Sequence, residues 1–250
     1  MSSDNAPITL VTGASRGIGA AIALSCARAG HDVAINFARD RAAAESVVAD
    51  VQALGRRAIA IQADVADEAQ VLAMFEQLDA QLGRLSHLVN NAGMVVPGAR
   101  LEAQDVTRWQ RLFGVNVIGT MLCCQQAVRR MSTRHGGAGG CIVNLSSRAA
   151  IHGSANLYVD YAASKGAIDS LTLGLAKELI AEGIRVNGVR PGVIATEIHA
   201  DSGLDPTTAL AGIPIGRLGS AEEVAAGVLW LLSPASSYCV GTLLDVAGGR

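Results

Sequence analysis

The sequence predicts an α/β fold, a doubly wound parallel sheet of seven strands with helices on both faces. Short β-branched runs alternate with longer Ala-rich segments along the whole chain, and a glycine-rich turn joins the first such run to the first helical segment. No Pro-rich linker, internal repeat or low-complexity tract divides the 250 residues, so a single domain over 1–250 is expected, with a short polar tail at 1–6.

The strand candidates are 8–12, 33–37, 58–62, 87–90, 141–145, 185–189 and 243–246. Segments of helical length and period lie at 18–29, 41–53, 68–82, 115–131, 158–181 and 221–232. Strict alternation requires right-handed crossovers and a sheet covered on both faces, whose ligands collect at the carboxyl ends of the strands. The glycines at 136–140 read as a turn before the fifth strand. The least patterned stretch is 196–219, where Gly203, Pro206 and Pro214 break any long helix, and it is the candidate lid over a ligand site.

Composition excludes several classes. Half of the residues are hydrophobic (50%), enough for a sizeable core, while 17% are charged with a net charge of −2 and no long run of one sign. No nucleic-acid partner is expected from such a surface. Every apolar stretch is interrupted well before it reaches membrane-spanning length, and the first residues lack a signal-peptide pattern, so a cytoplasmic location without membrane contact is expected. The five cysteines (Cys26, Cys123, Cys124, Cys141, Cys239) contain no C-x-x-C pair, and the five histidines are scattered. No metal site is predicted.

After the first strand the chain reads Thr12-Gly13-Ala14-Ser15-Arg16-Gly17-Ile18-Gly19 and a helix begins. Glycines there permit a tight turn and close backbone approach, so amide groups and the helix N-terminus can meet a pyrophosphate. A plain strand-to-helix corner would use the same glycines; the position between first strand and first helix favours a dinucleotide. No Lys follows the last glycine, which removes the P-loop alternative. The second strand ends Asn36-Phe37-Ala38-Arg39. Phe37 stands where an acid would hold the ribose 2′-hydroxyl of NAD(H), while Arg16 and Arg39 converge on that corner. NADP(H) is therefore expected in preference to NAD(H).

With these pieces goes an ordered series: Asp64-Val65 after the third strand, Asn90-Asn91-Ala92-Gly93 after the fourth, Asn116 in the next helix, Ser146-Ser147 after the fifth, Tyr161-Ala162-Ala163-Ser164-Lys165, and Pro191-Gly192 after the sixth. Along essentially its whole length the sequence resembles the short-chain dehydrogenase/reductase family, a Rossmann-type fold, and in particular bacterial sugar-dehydrogenase-like or uncharacterised oxidoreductase members. The resemblance implies hydride transfer between a nicotinamide cofactor and a small carbonyl or alcohol, with a homotetramer as the assembly. It further implies that Asp64 and Val65 lie against the adenine, Asn91 near the ribose, and Ile194 and Thr196 on the carboxamide. For Asp64 a helix-capping role is an equally good reading.

Tyr161 and Lys165 are four apart, so on a helix they share a face and the ammonium can stabilise a phenolate. An ordinary Tyr titrates near ~10, and the nearby Lys165 together with a positively charged nicotinamide ring would lower it, so Tyr161 is expected to act as general acid/base. Lys165 is one of only two lysines, the other being Lys177, expected at the surface. Ser147 would donate to the substrate oxygen, with Ser146 as competitor; the resemblance favours Ser147 and makes Asn116 the fourth catalytic member, holding a water that links Lys165 to solvent. Tyr161 follows Ser147 by 14 residues, one more than the family's usual spacing, which places a one-residue insertion within 154–160. Val95, Val96, Arg148, His152, Leu157, Tyr158, Ile198 and His199 are candidates for the substrate wall. Two alternatives remain open: a ketoacyl-thioester reductase, with Arg129 and Arg130 docking an acidic carrier but Glu182 where a base is usual, and a non-catalytic dinucleotide-sensing regulator on the same fold.

Overall fold

The computed structural model describes residues 6–196, 210 and 212–250. Its strands are β1 (Ile8–Val11), β2 (Asp32–Phe37), β3 (Ala58–Gln62), β4 (His87–Asn90), β5 (Gly140–Leu145), β6 (Ile184–Pro191) and β7 (Leu243–Val246). They form one sheet in the order β3-β2-β1-β4-β5-β6-β7, and all neighbouring pairs are parallel. The chain winds one way from β1 to β3 and the other way from β4 to β7. That reversal opens a crevice between the carboxyl ends of β1 and β4.

The helices are α1 (Gly17–Arg28), α2 (Arg41–Ala53), α3 (Glu68–Gln81), α4 (Val106–Phe113), α5 (Gly119–Met131), α6 (Ala149–His152), α7 (Val159–Leu179) and α8 (Ala221–Leu232). Side chains alternate across the sheet, which creates two cores. Val11, Ile35, Val89 and Val143 pack with Ile22, Val47 and Val228 of α1, α2 and α8. Their neighbours Leu10, Ala34, Leu88 and Ile142 pack on the other face with Phe75 and Leu78 of α3, Cys123 and Ala127 of α5, and Ala176 of α7. Because both faces are covered, β1 and β2 are buried at every position, and this produces their unbroken apolar sequence.

Four of the cysteines belong to these cores, and burial pushes the thiols of Cys26 and Cys124 up to about 12, which leaves them unreactive at neutral pH. Lys177 is exposed, as expected. Among the described residues no helix is long and apolar enough to cross a membrane, and no cluster of His, Cys, Asp or Glu could hold a metal ion.

The segment expected as one helix over 115–131 begins earlier and is not regular. α4 starts at Val106, capped by the Asp105 carboxylate, which accepts the Arg108 N–H at 2.8 Å. One π-helical turn, Gly114–Ile118, then joins it to α5. Only Leu112 of α4 is buried, yet Val106, Trp109, Leu112 and Phe113 follow helical spacing, a short apolar stripe that the sequence reading missed. Of the proposed lid at 196–219, residues 197–209 and 211 lie outside the described residues, as do Ile198, His199 and residues 1–5 of the tail.

At the opposite, amino end of the sheet, His31 and His87 stack with ring centroids 5.1 Å apart, Nδ1 of each facing a hydroxyl: Thr9 at 2.8 Å and Ser86 at 2.9 Å. Burial first, then the positive potential of His31 and Arg185, lowers His87 to about 4. An unfolded chain protonates this imidazole near ~6.5, so its stabilising effect is complete above that pH and is lost as pH falls through about 4. Chemical denaturation at pH 7.5 and at pH 5 should therefore show a loss of stability on acidification, roughly 3 kcal/mol at the limit for this one group, that His87→Gln diminishes. An identical acid slope in the variant would contradict this assignment.

Candidate active site

A cleft of about 1310 Å³ runs along the carboxyl ends of the strands from β2 to β6. Its floor begins at the glycine turn, which side chains from three strand ends hold in place. Asn36, 1% exposed at the end of β2, accepts the Gly13 N–H at 3.1 Å and donates to the carbonyls of Ile61 and Ala63. Asn91, after β4, donates to the carbonyls of Thr12 and Gly13 at 2.9 and 3.0 Å. Thr12 Oγ1 accepts the N–H groups of Asn91 and Ala92. Sequence reasoning placed Asn36 and Asn91 as cofactor contacts; both border the cleft, but their side chains are spent on building the turn.

Close approach is enforced here. A Cβ on Gly19 would lie 2.4 Å from the Gly13 carbonyl oxygen, and one on Gly13, whose φ is +61°, would lie 2.9 Å from Ala92 Cα. α2, α3, α4 and α8 each open with a side-chain cap, from Asp40, Asp67, Asp105 and Ser220. α1 opens without one, and Ser15, Arg16, Gly17 and Ile18 at its start line the cleft. Its first-turn amides are available to an anionic group such as a pyrophosphate.

At the far corner Phe37 is buried and supports the Arg41 guanidinium 5.3 Å from its ring centroid. Arg16 and Arg39 are both exposed at the rim, and Arg39 makes no ion pair among the described residues. An acid does stand nearby, Asp40, which sequence reasoning passed over; its carboxylate accepts the Ala43 N–H and so serves as a helix cap. The capping alternative for Asp64 does not hold, since Asp67 caps α3. Asp64 lines the cleft beside Val65 and pairs with Arg111 of the unanticipated α4 at 2.8 Å.

The other end of the cleft gathers Ser147, Tyr161 and Lys165. Lys165, 5% exposed on α7, donates from Nζ to the Leu145 carbonyl at 2.8 Å, with Nζ 5.7 Å from the Tyr161 ring centroid. Ser147 accepts the Ala149 N–H and lies close enough to Tyr161 to act on its phenol. Ser146 is buried with its hydroxyl donated to the Lys165 carbonyl, so the two serines are separated by their partners. Burial pushes Lys165 down to about 8, with Asp169 opposing. Burial also raises Tyr161, with Ser147 opposing, so Lys165 by itself does not lower the phenol: desolvation disfavours the charged form of both groups.

Asn116 lies in the π-helical turn and not on the cleft surface. Its side chain is saturated, accepting the Met94 N–H at 2.8 Å and donating to the Met94 carbonyl and to Ser164 Oγ, both at 3.1 Å. It thereby fixes the strand end after Gly93 against α7. Ala92, Gly93, Pro191, Gly192, Ile194 and Thr196 complete the lining. In the 154–160 loop, Ser154 and Asn156 hold positive φ angles of 48° and 64°, a conformation that a non-glycine residue rarely adopts, and the Leu157 carbonyl accepts the Ala99 N–H. His152, Leu157 and Tyr158 border the cleft there. Arg148 is tied to Asp245 at 2.6 Å, which engages the group considered for a substrate carboxylate.

A parallel sheet whose switch point opens on such a turn defines a dinucleotide-binding protein. The family profile described as Enoyl-(Acyl carrier protein) reductase matches residues 13–250. The chain is 49% identical over 246 residues to the uncharacterized oxidoreductase YgfF of Escherichia coli (strain K12), covering 97% of this chain and 99% of that protein. It is 36% identical over 250 residues to a 3-oxoacyl-[acyl-carrier-protein] reductase of Synechocystis, covering 100% and 98%. A solved structure of a blue fluorescent protein from a metagenomic library, in complex with NADPH, superposes with a TM-score of 0.90 at 35% identity, covering 98% of each chain. The chain belongs to the short-chain dehydrogenase/reductase family and is an NAD(P)-dependent oxidoreductase.

Gly19→Ala should weaken binding of a nicotinamide dinucleotide by at least about tenfold, since the added methyl must displace the Gly13 carbonyl. Fluorescence titration with NADPH checks it, alongside a melting curve; unchanged affinity would show that the turn does not touch the cofactor.

Proposed function

We propose that this oxidoreductase interconverts a small carbonyl compound and its alcohol using NADP(H) in preference to NAD(H). The observation that carries the reading is the convergence of Ser147, Tyr161 and Lys165 at one end of a cleft whose other end is the uncapped glycine turn. A bound nicotinamide dinucleotide would supply or accept the hydride, and its oxidised form would carry a positive charge. Tyr161 gives its hydroxyl proton to the substrate oxygen in reduction and recovers it in oxidation. Ser147 donates a hydrogen bond to the same oxygen. Lys165 supplies positive charge next to the phenol and grips the nicotinamide ribose. Asn116 positions the Met94 backbone and α7 and belongs to the same catalytic group. The exposed Arg39 and Arg16, with Phe37 in place of an acid, support a 2′-phosphate at the adenosine corner.

The whole chain, 1–250, is taken as one cytoplasmic NAD(P)-binding domain, with 196–219 as lid. Exposed apolar side chains on α4, the π-helical turn, α5 and α7, among them Val106, Ile118, Met121 and Leu173, support the homotetramer. The relationship to a carrier-protein reductase favours a second reading, a ketoacyl thioester substrate. For that reading Arg129 is exposed, but Arg130 is held by Asp79 at 2.7 Å and over the Phe75 ring. Turnover of simple ketones with none of a β-ketoacyl thioester would dismiss it.

Oxidation of NADPH and NADH against a panel of carbonyl compounds, wild type beside Tyr161→Phe, tests the main reading. The variant should bind NADPH normally and lose a factor on the order of 10²–10⁴ in kcat. Equal rates would remove Tyr161 from the mechanism, and tight NADPH binding without turnover by wild type would favour a sensor. Arg39→Ala should raise KM for NADPH about tenfold and leave that for NADH unchanged; equal effects on both would deny Arg39 a role in cofactor choice.

A further inference from the structure

Four charged side chains of alternating sign run behind the cleft, from the residue after Ser147 to the turn after Lys165. Arg148 Nη1 meets Asp245 Oδ2 on β7 at 2.6 Å. Arg190 on β6 lies 3.8 Å from the other oxygen of Asp245, and its Nε and Nη2 donate to Asp169 Oδ2 at 3.0 and 2.8 Å. Asp169 sits on α7 four residues beyond Lys165, on the same helix face. The whole run is shielded from solvent except at Asp245, which is 43% exposed at its side chain.

Asp169 is only half used by this run. Its second oxygen, Oδ1, is buried and has no hydrogen-bond partner. A buried acceptor left unmatched costs about 1–3 kcal/mol, more when charged, and Arg190 alone needs only one oxygen. What a full negative charge adds at this place is attraction for Lys165, whose ammonium is otherwise opposed by burial.

We propose that Asp169 is a positioning residue that holds Lys165 in its ammonium form, and that Arg190, Asp245 and Arg148 are the strap that fixes its carboxylate and ties it to the backbone carrying Ser147. The role of Lys165 itself rests on the reading given above. Around the Lys165 ammonium lie the Leu145 carbonyl at 2.8 Å and the Tyr161 ring at 5.7 Å, with Asn116 Oδ1 beside the same face of Gly93 and Asp169 one turn on along α7. Among the described residues Asp169 is the charged group that acts on Lys165. It acts against desolvation, which pulls Lys165 toward its neutral form.

The chain's two lysines make this directly measurable. Carbon-13 labelling of lysine gives two Cε resonances, and Lys177→Arg identifies the one from Lys165. In the full-length protein the Lys165 resonance should titrate near 8 in wild type, lower by roughly one unit in Asp169→Asn, and lower by a smaller amount in Asp245→Asn, where the strap loosens. The alkaline limb of kcat/KM should move the same way, and Asp169→Glu should restore it in part. A Lys165 midpoint unmoved in Asp169→Asn overturns the proposal even if activity falls; if that variant does not fold, an unmoved midpoint in Asp245→Asn overturns it. A midpoint that moves while Lys165→Met retains full activity would sustain the electrostatic role of Asp169 and refute the catalytic reading of Lys165.

Discussion

Fixing the glycine turn at the switch point is the constraint on which the rest of the molecule depends. Seven side-chain hydrogen bonds of Thr12, Asn36 and Asn91 join the turn to the ends of β2, β3 and β4. Gly19 leaves no space for a Cβ beneath it. Only with the turn pressed this closely against β4 can α1 begin at the crevice with its amides uncovered. The two apolar cores supply most of the stability of the sheet, but they would be equally well served by a larger residue and a wider turn. This polar tie is what makes the carboxyl end of the sheet a binding surface.

The other end of the cleft obeys an opposite logic. Burial there works against ionisation of both Tyr161 and Lys165, and each has one neighbour pulling back: Ser147 for the phenol, Asp169 for the ammonium. Proton exchange near neutrality needs the two groups close in affinity to their surroundings, so small changes in local charge have large leverage. Backbone positioning has a similar economy. Asn116, freed from regular helix geometry by the π-helical turn, binds both polar groups of Met94 and also Ser164, one side chain aligning two walls of the site.

How legible all this was from sequence follows the physics of each element. Strands buried on both faces write continuous apolar runs, and their bounds were readable to within two residues at each end. The cleft lining was readable too, because glycines, Tyr161 and Lys165 occur at offsets that the backbone dictates. α4 was missed because its apolar stripe of Val106, Trp109, Leu112 and Phe113 spans only two turns and buries a single leucine. Asp105 three residues before the N–H it accepts was the available signal. The turn-building work of Asn36 and Asn91 was not read, because a side chain that builds a turn and one that touches a ligand occupy the same sequence position. The direction of the Tyr161 shift depended on burial, which spacing along a helix does not report.

Hydride transfer is the central claim, and isotopic label follows it most directly. Wild-type protein supplied with NADPH deuterated at C4 of the reduced ring, and with a panel of ketones, should place deuterium on the carbinol carbon of the alcohol, from one face of the ring only. Alcohol that forms without the label from either C4 position, or label that exchanges into water, would contradict direct transfer within this cleft.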